Sequence, residues 1–480
     1  MLGDGSRLNR REYMRLTSAV VVGSTVRTAQ IDTGGTTSEI RFERVVDAVT
    51  DLGCDPTGTQ DVSSKIESAL DGGTLIEFPT GEYYWERSVS LNTDRLGIRG
   101  KDEDVLFTFP AGYNEFFIDT RCDRALYENF NVDVRPDNTA TGIRINSEHG
   151  FHIENIEHLG RGTADASDVT RCWQLRVNDP DSTGVVKNFV AKEGSAWAHY
   201  KDGDGRIGIS VYGGEGTIKI IDCHLEEFGN NGIYASRSLS AVQVEGGVYR
   251  NNNVASIRIS GDGSYVDGAV VEVDRKKYSG PHTLDDDGFE MRGIVIEQGN
   301  ADIGTFDATG TKICNTDIVI RDNPTSGSAI SVWTGGRTLD VLNTRIVYDN
   351  DGSPTIYREG KTAQGNHSPS SGARWLHMER VQITGTATEG PTVLAEEADA
   401  SRIRNCYIEQ SGNGRAGVVF SDSQDTFVGN CIIDVGAKAF SLDSSSGRSK
   451  NVRHTGPPLA NCVGASSPTP MKRPSSERRL

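Results

Sequence analysis

Methionine is scarce in this chain, five residues in 480, and lysine is little commoner, 13 against 37 arginines. Hydrophobic residues make up 35% of it, while glycine reaches 55 residues. That balance argues against a helix bundle and for many short strands joined by turns. No run of 18 or more apolar residues follows the N-terminal region, which excludes a membrane-spanning helix in the mature chain. Eight cysteines are too few for a disulfide scaffold at this length. Neither CxxC nor HxxxH spacing occurs, so no metal ligand set stands out. Basic residues are outnumbered 50 to 67, giving a net charge of −17. Duplex nucleic acid needs a basic face to neutralise its phosphates, so it is not the expected partner. The acidic balance suits a soluble, halophile-like protein exposed to salt.

What is present is a repeat. Gly208-Ile209-Ser210-Val211-Tyr212, Gly232-Ile233-Tyr234-Ala235-Ser236 and Ser256-Ile257-Arg258-Ile259-Ser260 begin 24 residues apart. Alternation within each pentad has the period of a strand, so Ile209, Ile233 and Ile257 face one way and Ser210, Tyr234 and Arg258 the other. Short strands repeating at this interval mark a solenoid, in which stacked coils bury a face that one coil cannot. Pentads also start at 142, 172, 293, 329, 355, 392 and 417. Their second residues are apolar throughout, from Ile143 and Trp173 to Val393 and Val418, and form the predicted interior row. The fourth row is mostly apolar but broken by Arg358, which signals local irregularity or a shifted register there. Cys223, Cys314, Cys406 and Cys431 recur at a similar place in their repeats and read as small buried hydrophobes.

Residues 42–109 carry a family resemblance. Asp55-Pro56-Thr57-Gly58 is followed by Val62, Ile66 and Leu70 at helical spacing, then Phe78-Pro79-Thr80-Gly81-Glu82-Tyr83 and Gly97-Ile98-Arg99-Gly100. This order resembles the N-terminal module of the pectate lyase-like superfamily. The resemblance implies an all-β, single-stranded right-handed parallel β-helix with a short N-terminal capping helix. The helix would cover an open end whose strand edges otherwise recruit other chains. Glycoside hydrolases, polysaccharide lyases and tailspikes share the module, so it implies a carbohydrate theme without a reaction. The polygalacturonase-type series and the Arg-x-Pro-x-x-Arg of pectate lyases are missing, although Asn315-Thr316-Asp317 occurs alone. No catalytic residue carries over.

The expected organisation is a signal over 1–30, a cap over 42–110, coils over 111–445 and a solvated tail over 446–480. The signal resembles a twin-arginine leader: Asn9-Arg10-Arg11-Glu12-Tyr13-Met14-Arg15 precedes a mildly apolar stretch, which points to export and a secreted protein.

Three steps between pentads are lengthened, placing insertions at roughly 274–291, 300–312 and 358–373 on opposite rims of one strand face. Loops on a rigid scaffold are where binding sits. The groove they wall contains Tyr212, Tyr234, Trp333 and Tyr357 beside Arg258, Lys276, Glu297 and Glu359, a candidate saccharide platform that also reads as an ordinary polar strand face. Two chemistries compete. A glycosidase needs two carboxylates, which Asp286, Asp287 or Glu290 with Glu297 would supply. A uronate lyase needs a base and a cation, which Arg258 with Lys276 or Lys277 would supply. Asp285, Asp286 and Asp287 could bind Ca²⁺, though a triple Asp is also an ordinary acidic loop. Trp197, His199 and Tyr200 either extend the groove or pack their loop. Asp202-Gly203-Asp204-Gly205 lacks the last ligand of a Ca²⁺ loop, and Asn366-His367-Ser368 is a glycosylation sequon. His149, His152 and His158 read as strand and turn residues. The functional expectation is a polysaccharide lyase or hydrolase, monomeric or trimeric. A glycan-binding surface protein is the alternative, and a tailspike-like module the third.

Overall fold

The computed structural model describes residues 40–454, apart from 71, 103, 164–170, 197–204, 261, 283–289, 298–309, 324–326 and 362–371. The leader-like segment, Trp197, His199, Tyr200, Asp202, Asp204, Asp285, Asp286, Asp287, the sequon and residues 455–480 lie outside the described residues. From Arg41 onward the chain is one unit.

Strands pair in parallel, each with its counterpart one coil away. In one coil Ile207–Tyr212, Thr217–Ile221 and His224–Glu226 contribute to a first, second and third sheet. In the next coil Ile233–Arg237, Val242–Glu245 and Val248–Arg250 lie directly against them. Repetition of this unit makes a right-handed parallel β-helix, the hand that parallel crossovers favour. Final strands at Gly447–Lys450 and Arg453–His454 carry the stack beyond residue 445.

The pentads form the first sheet, and their second row is the interior ladder. Ile143, Trp173, Ile209, Ile233, Ile257, Ile294, Ile330, Ile356, Val393 and Val418 pair rung to rung, and each is fully buried. The early coils are filled with aromatic rings instead. Phe78, Tyr83, Trp85, Phe107, Phe117 and Phe130 meet at centroid separations of 4.7–6.3 Å, mostly edge to face, the arrangement their quadrupoles favour.

Arg358 does not mark a lost register. It pairs with Val332 and Ala395 in the inward row and is fully buried. Its Nε donates to Arg374 O at 2.6 Å and its Nη2 to Gly336 O at 2.8 Å. Burial, and then Arg374 nearby, lowers its pKa well below the ordinary guanidinium value. A register error does occur elsewhere: a bulge after Ser210 pairs Tyr212 with Arg237, so Ser236 does not continue the outward row.

From Asn129 onward the corner between second and third sheets is one or two residues long and contains a left-handed residue. Asn129, Asn155, Asn188, Asn315, Asn343, Asn405, Asn430 and Asn451 hold it in eight coils, with φ of 49–60°. Asp222, Gly246, Gly268 and Arg380 take the place in four others. Asparagine tolerates this region because its short amide bonds locally. Here the amides also bond coil to coil: Asn188 Nδ2 donates to Asn155 Oδ1 at 2.7 Å, and Asn155 Nδ2 to Asn129 Oδ1 at 2.9 Å. Arg380 Nε substitutes for an amide donor, reaching Asn343 Oδ1 at 2.6 Å.

In five of these coils the residue after this one is a small donor. Cys406 and Cys431 donate Sγ to the carbonyl two residues earlier at 3.1 and 3.2 Å, as Thr316 and Thr344 donate Oγ1 at 2.7 and 3.0 Å. Cys223 shares the position, but Cys314 precedes its asparagine and does not. Asn315-Thr316-Asp317 is therefore a corner.

At the N-terminal end the helix Ser63–Ala69 (α1) packs on strands Thr74–Phe78 and Val89–Gly100, with Val62, Ile66 and Leu70 all buried. Asp55 ties the preceding turn, accepting from Thr57 N at 3.0 Å and Thr59 Oγ1 at 2.6 Å. Two glycines of this region are required by close backbone approach. A Cβ on Gly81 would stand 2.7 Å from Pro56 O, and one on Gly100 1.8 Å from Asn129 O.

Candidate functional site

The first sheet carries the candidate groove, and four successive coils supply its centre. Alternation turns Tyr234, Arg258 and Val295 outward on successive rungs. Two coils beyond Arg258, Trp333 follows the strand Ile330–Val332 and reaches back across the sheet. The Arg258 guanidinium lies 4.8 Å from the Tyr234 ring centroid and 4.6 Å from that of Trp333. Arg292 stands 5.3 Å from the same tryptophan ring. Two aromatic rings and two guanidinium planes thus make one continuous floor.

Both cations are also held by carboxylates. Arg258 donates from Nε and Nη2 to Glu297 Oε2 at 2.7 and 2.5 Å, with 2% of the Glu297 side chain exposed. Arg292 bonds to Glu290, which is half exposed. The structure therefore brings Tyr234, Arg258, Glu297 and Trp333 together, and adds Arg292. Nothing in the pentad pattern singled out Arg292, because it precedes the repeat by one residue.

The next rungs carry Tyr357, Glu359 and Glu396. Tyr357 OH donates to Glu396 Oε2 at 2.9 Å, and Glu359 Oε2 accepts from Thr334 N and Oγ1 at 3.1 and 3.2 Å. Burial, and then the two carboxylates, raises the phenol pKa of Tyr357. Glu396 is a second residue absent from the sequence reading; its strand, Pro391–Glu396, carries no insertion to draw attention.

The floor is more enclosed than a flat open platform. Ser210, Val295 and Ser331 point out of the solenoid yet are buried, and Tyr234 is 9% exposed. Ser210 Oγ has no hydrogen-bond partner among the described residues. Tyr212, by contrast, is 41% exposed at the rim. Lys276 stands apart on the third-sheet side, 80% exposed and 3.7 Å from Asp322. Lys277 is bonded to Glu272 at 2.5 Å.

The insertion before Arg292 is anchored from below. Asn251 bonds both backbone polar atoms of Asp274, and Asn253 Oδ1 accepts from Glu290 N at 2.9 Å. Buried Glu227 accepts from Ser279 N at 2.6 Å and from Arg161 Nη2 at 2.5 Å. These contacts hold both ends of that insertion to the scaffold; its residues 283–289, and most of the insertions expected at 300–312 and 358–373, lie outside the described residues.

Two other clusters lie outside the groove. On the second-sheet face Glu128, His152 and Glu154 bring ligand atoms within 4.8 Å of one another. Arg99 already binds Glu128 at 2.8 Å and Lys187 binds Glu154 at 2.8 Å, continuing a ladder of alternating charge. Near the first coils a polar hollow of about 400 Å³ is lined by Asn92, Arg121, Asp123, Asn146 and Asn178. His149 bonds Asp123 at its edge.

No family model matches the chain, and no curated protein does. Solved structures resemble it at low identity. ORF18 of Geobacillus virus E2 aligns at 10% identity over 86% of this chain, with a TM-score of 0.36; the chain spans 61% of that protein. The A-module of the Azotobacter vinelandii mannuronan C-5 epimerase AlgE4 aligns at 13% identity over 87% of this chain and all of its own, with a TM-score of 0.40. PfbA, a surface adhesin of Streptococcus pneumoniae, gives 13% identity, 87% and 93% coverage, and a TM-score of 0.42. Scores this low say nothing about chemistry, and the fold is read from the strands themselves.

Proposed function

We propose that this protein is exported and engages a polysaccharide along the first-sheet groove, cleaving the chain there by hydrolysis or elimination. The observation that carries the reading is the Tyr234–Arg258–Trp333–Arg292 floor. Sugar rings offer apolar faces to aromatic side chains, and guanidinium groups meet hydroxyl or carboxylate oxygens in bidentate fashion. The unpartnered, buried hydroxyl of Ser210 on the same face costs about 1–3 kcal/mol, which a ligand hydroxyl would relieve.

Carboxylates stand on both sides of Trp333 within one row. Glu297 and Glu359 flank it on neighbouring rungs, so their backbones lie about 10 Å apart by strand spacing. Inverting glycosidases use a carboxyl pair about 6.5–9.5 Å apart, with a water between one of them and the scissile bond. Elimination would instead use a guanidinium against the uronate acid group.

The second reading is binding without cleavage. It is favoured by the pairing of Arg258 with Glu297 and of Arg292 with Glu290, which leaves both cations committed. Incubation of the purified protein with a polysaccharide panel separates the two. New absorbance near about 235 nm marks elimination and new reducing ends mark hydrolysis. Binding retained without either product assigns the second reading. Trp333→Ala is expected to weaken binding by on the order of tenfold, since aromatic anchors dominate such contacts; unchanged affinity would move the site elsewhere.

A further inference from the structure

The C-terminal end of this acidic protein is basic. Residues 444–480 contain seven Lys or Arg and one Glu, within a chain of net charge −17. The described part of that segment builds the last rungs of the second sheet, on a different face from the groove.

Three strands make the surface: Arg402–Arg404, Thr426–Gly429 and Gly447–Lys450. Register pairs Arg402 with Phe427 and Phe427 with Arg448, and likewise Arg404 with Gly429 and Gly429 with Lys450. Ile403 and Val428 are fully buried, so alternation turns these six residues outward. Phe427 lies at the centre. The guanidinium carbons of Arg404 and Arg448 stand 5.4 and 5.7 Å from its ring centroid. A Cβ on Gly429 would meet Phe427 Cε1 and Cζ at 2.4 Å, so the ring leans over the glycine into space a side chain would fill.

The cations are available. Arg404, Arg448 and Lys450 are exposed. Arg402 pairs with Asp425 at 2.6 Å. Glu379, opposite Arg404, is bonded to Asn405 Nδ2 at 2.7 Å and Arg380 Nη1 at 3.2 Å. Arg404 and Lys450 are two rungs apart, about 10 Å. This is comparable with the repeat of a disaccharide in an extended glycan, which presents equivalent acid groups to one side at that interval.

We propose that this face is a docking surface for a carboxylate- or sulfate-bearing polysaccharide, with a sugar ring over Phe427 and acid groups at Arg404, Arg448 and Lys450. A flat sheet with an aromatic centre fits a single extended chain better than a curved duplex. The proposal does not depend on what the first-sheet groove binds.

The test uses the full chain and four probes at matched salt: polygalacturonate, dextran sulfate, neutral dextran and a short DNA duplex. Binding is read by affinity electrophoresis at several salt concentrations. The wild type is expected to bind both acidic glycans and not dextran. Arg404→Glu/Arg448→Glu/Lys450→Glu should weaken that binding on the order of tenfold or more and flatten its salt dependence. Phe427→Ala should weaken it with the salt dependence unchanged. Melting curves check the fold; should the charge reversals unfold the end coil, Arg404→Gln/Arg448→Gln takes their place. Equal binding by the variants, equal binding of neutral dextran, or tighter binding of the duplex than of polygalacturonate would each overturn the proposal.

Discussion

His158 and His149 show how position along one strand-and-turn unit decides what a titratable side chain does. His158 points inward beside Trp173 and Phe189, with neither ring nitrogen bonded among the described residues. Burial, and then Arg206, holds its pKa well below 6.5. The unfolded chain therefore takes up a proton near pH 6.5 that the native chain refuses. Stability is intact above that pH and falls as the pH drops below it, by about 1.4 kcal/mol per unit until the native pKa is reached. Denaturant midpoints measured between pH 7 and about 5 should show this slope, and His158→Phe should reduce it.

His149 is the opposite case. The hydrogen bond that its Nδ1 donates to the Asp123 carboxylate raises its pKa above 6.5. Its small contribution is present below pH 6.5 and lost as the pH rises through the raised value. An NMR titration should find it above the ordinary histidine range, and Asp123→Asn should bring it down.

At the scale of the element, the left-handed corner is the testable unit. Asn155 makes two ladder bonds and occupies a φ of 56°. Asn155→Ala should cost about 2–4 kcal/mol, combining backbone strain with lost hydrogen bonds. Asn155→Gly should recover about 1 kcal/mol of that, because only the strain is relieved. Urea midpoints compare the two; equal losses would mean that strain is not part of the cost.

This corner also shows what could be read in advance. The interior ladder was legible because alternation and a fixed repeat force Ile209, Ile233 and Ile257 into one row whatever the loops do. The outward neighbours Tyr234 and Arg258 followed from the same parity. The corner escaped because a single left-handed residue leaves no periodic trace, only an asparagine at variable distance from the pentad. Its cysteines were noticed, but as packing rather than as donors to a carbonyl. Arg358 looked like an error because burial of a guanidinium depends on carbonyls from Gly336 and Arg374, which sequence distance conceals. Glu396 and Arg292 reach the groove through contacts across coils, and no local pattern encodes those.

For the molecule as a whole, the ends and the charge matter most. Helix α1 protects strands that would otherwise present unpaired backbone to other chains. Ile66→Asp puts a charge into a fully buried site of that cap. It should produce concentration-dependent oligomers in light scattering while the far coils keep their strand signal. If the variant stays monodisperse, the cap is not what blocks edge association. The net charge of −17 is self-repelling, so added salt should raise the melting temperature of the wild type.

Constancy at one corner constrains where this architecture can change. From Asn129 onward the turn between second and third sheets never exceeds two residues; its asparagine amides bridge neighbouring coils, and a longer loop there would part them. Length variation is therefore channelled to the two corners that border the first sheet. Any inserted segment lands on a rim of the groove, where it can alter what enters, and leaves the stacking untouched. A scaffold with one fixed seam turns random insertions into variation at the binding face, and the same seam tells an engineer which corner to leave alone.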